Sequence, residues 1–418
     1  MMGSHSSMKI LFIVPYVPNR IRVRSFQIIK NLVGHGHQVT LVSLWGSRDE
    51  IRDLQELNLP SDDIHLEYLS KLRSAWNCVK ALPTSTPLQA VYCWEPKLTA
   101  VLTRLLDVNG TQEPFDLIHV EHLRGALYGL WVKEWLESQG RYIPVVWDSV
   151  DCISLLFARA AQHSQDWFGR WVTRFELPRS QRMERSLLHA FERVLVTSRE
   201  DAGALRALVR DEVPAPIVVL PNGVDLEYFS PGDPDTRQAG QLVISGKMSY
   251  HANISMALHF VNNILPAIRA QHPGVELWIV GKDPPAEIRR LVETAGVHVT
   301  GTVPDLRPYL QKASIAVAPL TYAVGIQNKV LEAMACATPV VLSKEAAGGF
   351  RFESEDAAWI AEDDTEFSLA VSKLISDRSL RDQTGAAGRR FVEQHHAWGQ
   401  IVTQLEDVYR ELINTPGE

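Results

Sequence analysis

Residues 318–341 read APLTYAVGIQNKVLEAMACATPVV: a strand end, a glycine turn, a helix start and the opening of a second strand. Ile315–Leu320 is apolar and carries Pro319, which suits a buried strand. Gly325 then permits a sharp turn or a close approach of backbone to ligand. Asn328 is placed to cap the helix that follows, whose first two turns hold Lys329, Glu332 and Met334. Pro339 opens the next apolar run. Such a strand–turn–helix aims backbone N–H groups and a positive helix end beyond the strand, where a phosphate fits. Lys329 adds a mobile cation. Glu332, three residues on, shares its helix face. A carboxylate there accepts two hydroxyl hydrogen bonds, as from a ribose; the two side chains could equally form a surface ion pair of little energetic value. Phosphate clamp plus diol acceptor reads as a site for a nucleoside diphosphate.

The rest of the chain supplies two α/β series. Lys9–Pro15 reads as a strand, Ser25–Gly34 as a helix and Gln38–Ser43 as a second strand, a β-α-β opening that predicts a parallel sheet. Further strands are expected at Leu117–Val120, Tyr142–Trp147, Val194–Thr197 and Pro216–Leu220. The stretch Leu226–Gly240, rich in Gly, Pro and Asp, reads as a linker. Beyond it, strands at Leu242–Ser245, Glu276–Val280, His298–Thr300, Ile315–Ala318 and Pro339–Leu342 alternate with helices near Ile254–Ala270, Ala286–Thr294, Leu306–Lys312 and Lys329–Cys336. Helices near Thr365–Ser376 and Leu380–His396 close the series. Gln400–Asn414 is amphipathic, with Ile401, Leu405, Val408, Tyr409 and Leu412 on one face. The expected architecture is α/β: two doubly wound, Rossmann-like domains facing a central cleft, with ligands beyond the strand carboxyl ends. The domains are expected over 9–225 and 241–396.

Composition bounds the function. Hydrophobic residues make up 45% and charged residues 22% of 418, ordinary values for a globular chain with a full core. The net charge of −7 disfavours nucleic acid as a partner. The acidic excess falls after Leu220, so the first half is better suited to an anionic surface or acceptor. Cys78, Cys93, Cys152 and Cys336 have no metal-ligand spacing and read as reduced thiols of a cytosolic protein. No apolar run is long enough to span a bilayer. Met1–Ser7 reads as a cloning scar, with Met8 as the expected natural start.

The segment Gly325-Ile326-Gln327-Asn328-Lys329, continued by Leu331-Glu332-Ala333-Met334-Ala335, resembles the donor-site motif of family 4 glycosyltransferases, retaining enzymes of the GT-B fold. It is closer still to a bacterial subgroup of sugar transferases associated with exopolysaccharide loci. Pro221-Asn222-Gly223-Val224-Asp225, Ile279-Val280-Gly281, Val299-Thr300-Gly301 and Trp398 are similar to family positions in the same order, so the resemblance covers nearly the whole chain, and it implies that 397–418 is a helix returning to the first domain. It implies that Glu332 holds the donor ribose, and that Lys247, after Ser245 and Gly246 at a strand end, meets donor phosphate. The family pairs its Glu with another eight residues earlier; here that position is Val324, so only the backbone of Gly325, Ile326 and Gln327 could replace its contact to the donor sugar. The usual second cation after Lys247 is missing from Met248–Asn253, and Lys329 is expected to supply that charge. Two lysines would offset a diphosphate without a metal, so neither metal nor separate cofactor is expected.

Other strand ends carry further candidates. Asp148 and Asp151 follow one strand and could bind sugar hydroxyls or take the acceptor proton; equally, Asp148 or Ser149 could merely cap a helix. His122 follows another and is either a ligand or a structural residue. Arg20, Arg22 and Arg24 fill a first βα loop that lacks glycine, and either bind an anion or stay solvated. Residues 165–186 interleave Trp167, Phe168, Trp171 and Phe175 with arginines, which suits peripheral contact with the inner face of a membrane, or a helix burying its aromatics on the core. The expected activity is transfer of a sugar from a nucleotide-diphosphate donor to a glycan or lipid-linked acceptor. An epimerase or hydrolase, or a non-catalytic sugar-nucleotide-binding subunit, would fit the same fold.

Overall fold

The computed structural model describes residues 7–20, 22–107, 114–163, 167–209, 212–352 and 356–415. The chain forms two compact units, Met1–Pro221 with Trp398–Glu418, and Asn222–Ala397. The stretch read as a linker therefore clusters with the second unit.

In the first unit seven strands, β1 (Lys9–Val14), β2 (Gln38–Trp45), β3 (Ile64–Tyr68), β4 (Leu117–Glu121), β5 (Val145–Val150), β6 (Arg193–Val196) and β7 (Ile217–Val219), form one sheet in the order 3-2-1-4-5-6-7. Every pairing is parallel, with Ile13 beside Val42 on one side and Val120 on the other. The central strands read as continuous apolar runs because helices cover both faces. One face packs Ile10, Phe12, Phe26, Ile29 and Leu32 against Trp398, Ile401, Val402, Leu405, Tyr409 and Leu412 of the final helix, Trp398–Asn414. Each such buried side chain contributes roughly 1.5–3 kcal/mol.

The second unit repeats the plan with six strands, β8 (Gln238–Ser245), β9 (Glu276–Val280), β10 (Val297–Gly301), β11 (Ala313–Ala318), β12 (Val340–Ser343) and β13 (Trp359–Ala361), in the order 10-9-8-11-12-13 and again all parallel. In both sheets the winding reverses beside the first strand, between β1 and β4 and between β8 and β11. Those switch points are where open α/β sheets hold ligands.

Several local expectations need correction. The strand read from Tyr142 begins at Val145, because Pro144 has no N–H to give the ladder, although its carbonyl accepts from Ile118. The helix read over Ile254–Ala270 is interrupted by a π turn at Phe260–Ile264, immediately before Pro266, which cannot donate to a helical ladder. Asn328 is not a side-chain cap. Gln327 occupies the cap position, no side chain caps the helix Asn328–Ala335, and Asn328 Oδ1 instead accepts from Asn222 Nδ2 at 3.2 Å.

Candidate functional site

At the β8/β11 switch point the second unit gathers the residues singled out from its sequence. β8 ends at Ser245, and Gly246 turns at φ 140°, a conformation open to glycine. A Cβ on Gly281 would lie 1.7 Å from the Gly246 carbonyl oxygen, so the turns after β8 and β9 meet backbone to backbone. Lys247 stands exposed at the tip. Across from it, Gly325 turns at φ 63°, and a Cβ on Gly349 would fall 2.1 Å from the Gly325 oxygen. Ile326 is buried beside it, and Gln327 Nε2 ties the turn by donating to the Val324 carbonyl at 3.1 Å. The helix then starts with its first N–H groups uncapped by side chains, aimed as at an anion.

Lys329 leans out of this helix start. Its Nζ donates to Asn253 Oδ1 at 2.6 Å and reaches Gln327 Oε1 at 3.4 Å. Burial pulls its pKa down to about 8, against the opposing pull of Glu332. Burial likewise pushes Glu332 up to about 7, with Lys329 opposing. Both side chains are half-buried, and among the described residues neither forms an ion pair, which removes the surface-pair alternative. Asn253 and Gly349 belong to this cluster and were missed in the sequence. Neither carries a signature: one is a lone amide on a helix, the other matters only for the backbone it touches.

The first unit tells a different story. Asp148 is fully buried, with its Oδ2 held by Arg24 Nε at 2.7 Å. Arg24 also donates to the Leu220 carbonyl. That pairing corrects the assignment of Asp148 as a sugar ligand or base: its oxygens are committed inside the fold. Arg20 and Arg22 pair with Glu56 and Glu50 at 2.9 and 3.4 Å, in ion pairs that stay partly exposed. Asp151 accepts from the Thr197 hydroxyl at 3.2 Å, and burial followed by the nearby Asp201 raises it to about 7.

His122 adopts φ 65° at the end of β4, and Val150 adopts φ 67° at the end of adjacent β5. For a β-branched residue that geometry is strained, and Asp148 Oδ1 holds it by accepting from the Val150 N–H. Burial pushes His122 down to about 3, so the ring is neutral and its Nδ1 accepts from the Arg124 N–H at 3.3 Å. Beside it, Glu121 is buried, accepts from the Tyr16 hydroxyl at 2.9 Å and rises to about 7 through burial and then Asp148. The sequence showed Glu121 beside His122 without revealing its burial.

Residues 21–223 match the glycosyl transferase 4-like domain, and residues 239–377 match glycosyl transferases group 1. Each unit thus matches a glycosyltransferase domain model, on the paired parallel sheets of a GT-B fold. Among curated relatives, the chain is 30% identical over 228 residues to the alpha-maltose-1-phosphate synthase of Mycobacterium tuberculosis, covering 46% of this chain and 56% of that protein. It is 26% identical over 265 residues to the D-inositol 3-phosphate glycosyltransferase of Salinispora arenicola, covering 56% and 58%. The chain thus spans a little over half the length of these relatives. Among solved structures, sucrose-phosphate synthase from Thermosynechococcus elongatus superposes with a TM-score of 0.68 at 19% identity, covering 97% of this chain and 99% of that one. Anabaena HepE in complex with UDP and glucose gives 0.68 at 15% identity, covering 97% and 100%. At these identities the superpositions establish the fold.

Proposed function

We propose that the protein transfers a sugar from a nucleoside-diphosphate donor to a glycan or lipid-linked acceptor with retention of configuration, in bacterial polysaccharide or glycoconjugate synthesis. The observation that carries this reading is the convergence of Lys329, the Gly246 turn and an uncapped helix start at one sheet switch point. In this account Glu332 holds the ribose. Lys329, Lys247 and the helix start hold the diphosphate, and the Gly325–Gln327 backbone meets the sugar. Lys329 and the helix dipole stabilise the charge that grows on the leaving phosphate, the largest contribution expected of such a site. His122 and Asp151 serve the acceptor side. A uridine nucleotide is favoured because HepE is solved with UDP-glucose.

Val324 is buried and apolar where the resembling family carries a carboxylate. It favours a second reading, in which the protein binds a sugar nucleotide without transferring it. Thermal-shift screening against a panel of nucleotide sugars separates the possibilities, since a ligand of the native state raises apparent stability. A shift with UDP-sugars, abolished in Glu332→Ala, supports the donor site, and product formation with added acceptor supports transfer. A shift without any turnover supports the second reading, and no shift with any nucleotide sugar overturns both.

Two lysines and a helix end supply the counter-charge to the diphosphate, so transfer should persist in EDTA. Strict dependence on Mg²⁺ or Mn²⁺ would replace that account with a metal-held diphosphate. For the membrane contact proposed through 165–186, the side chains of Trp167, Phe168 and Trp171 lie outside the described residues. Phe175 is half-buried under Arg179, which also donates to the Leu82 carbonyl at the end of the helix Lys71–Ala81. That helix exposes Leu72 and Trp76 at 84% and 54%, with Lys80 over the indole. Among the described residues no helix is long and apolar enough to cross a membrane. Co-sedimentation with anionic vesicles that weakens with salt would support a surface contact, and none at low salt removes it.

A further inference from the structure

Asn253 sits in the helix His251–His259 with 5% of its surface exposed, and both ends of its amide are engaged. Oδ1 accepts from Lys329 Nζ at 2.6 Å, while Nδ2 donates to the Lys247 carbonyl at 2.9 Å. A Cβ on Gly246 would meet Asn253 Nδ2 at 2.9 Å and Lys329 Cε at 3.4 Å. Glycine at 246 is thus what lets both side chains cross the turn after β8.

We propose that Asn253 is a positioning residue that holds the Lys329 ammonium against the β8 turn without neutralising it. A carboxylate in its place would grip the ammonium harder, but would cancel the charge an anionic ligand needs. An amide oxygen fixes the position and leaves the full positive charge. Lysine has three donors; amide oxygens of Asn253 and Gln327 direct two, which leaves one for an incoming phosphate. The charged and titratable groups around Lys329 are few. Glu332 lies on its own helix, Lys247 stands exposed on the β8 turn, and the His251 ring is engaged by the Tyr322 hydroxyl. The ligand side of this inference rests on the nucleotide-diphosphate reading; the tether itself does not.

The test measures the pH dependence of Lys329 acetylation by acetic anhydride, read by mass spectrometry, in the full chain and in Asn253→Asp and Asn253→Leu. Both variants lose the donor to Lys247, so a merely structural role would affect them alike. A tether predicts opposite shifts. The midpoint should fall in Asn253→Leu, which loses an acceptor that favours the ammonium. It should rise by about one unit or more in Asn253→Asp, which gains an opposite charge. Asn253→Asp is nearly isosteric and carries the test alone if Asn253→Leu unfolds. Affinity for UDP by calorimetry without added metal should fall about tenfold in Asn253→Asp, as the counter-charge is cancelled. A Lys329 midpoint that does not rise in Asn253→Asp overturns the tether, whatever UDP does. The opposite shifts, together with no UDP binding in the unmodified chain, would uphold the tether and reject the nucleotide reading.

Discussion

Glu332 and Lys329 face opposite demands in one small space. To accept ribose hydroxyls Glu332 must be ionised, and burial delays its ionisation to about pH 7. To meet a diphosphate Lys329 must be protonated, and burial ends that at about pH 8. The raised acid loses its carboxylate as pH falls through 7, and the lowered base loses its ammonium as pH rises through 8. Donor kcat/KM should therefore follow a narrow bell between those limbs, which report the free protein. In Glu332→Gln the acid limb should vanish and the basic limb should move down, because Lys329 loses the charge that favours its ammonium. A profile with the acid limb intact in that variant would take Glu332 out of the site. Lys329→Ala should lower kcat about 10²–10³-fold, since charge grows on the leaving phosphate as the bond breaks. A raised donor KM with intact kcat would mean that Lys329 binds ground and transition states alike. The placement of both residues on a helix after a glycine turn was legible in the sequence from their spacing. Asp148 was misread for the opposite reason. Its partner Arg24 lies 124 positions away, and no local pattern announces that pairing.

The helix Asn328–Ala335 shows how an element is built to present its N-terminus. Its other end is held by arginines: Arg237 donates to the carbonyls of Cys336 and Ala337 at 2.9 and 2.8 Å, and Arg389 to that of Ala335 at 2.7 Å. Cations there complement the helix dipole and pair carbonyls that would otherwise be orphaned. Ala337 ends the element at φ 52°, and a Cβ on Gly385 would come within 2.2 Å of its oxygen. Arg237→Met should cost about 1.5–3 kcal/mol in urea denaturation, the range for hydrogen bonds to a charged group. Arg237→Lys should recover only part of it, because one ammonium cannot span the carbonyls that the planar fork reaches. Equal stability for all three proteins would remove this anchoring. The element itself was legible, as were the central strands, whose apolar runs reflect burial on both faces. The edge strands β3 and β13 were not, because Ile64–Tyr68 is only half-covered and Trp359–Ala361 is three residues long. Their pairing comes from neighbours in space, which a local window does not see.

At the scale of the whole molecule, two sheets share one winding order, and the chain passes between the units at Pro221/Asn222 and Ala397/Trp398. The second passage makes the last helix part of the first unit's core, although it is the farthest segment in sequence. Its amphipathic face was legible; its binding partner followed only from resemblance, because spacing alone does not say which sheet an apolar stripe covers. The contact is polar as well as apolar. Burial lowers His119 to about 4, so its ring is neutral, stacked on Phe12, with Nε2 facing Asp148. Its Nδ1 is then free to accept from the Tyr409 hydroxyl at 2.7 Å. Tyr409→Phe leaves that buried nitrogen unpaired and should cost about 1–3 kcal/mol. Ending the chain after Ala397 should do far more. It strips Trp398, Ile401, Val402, Leu405, Tyr409 and Leu412 from the first core, on the order of 10 kcal/mol of burial, as much as a domain's whole stability. The second unit loses none of its own residues. Calorimetry and limited proteolysis of the shortened chain should find the first unit unfolded or rapidly cut, with the second unit protected and its transition still raised by UDP. If the first unit melted as in the full chain, the final helix would be an accessory rather than part of that core. If UDP no longer moved the surviving transition, the nucleotide would need more than the second unit to bind.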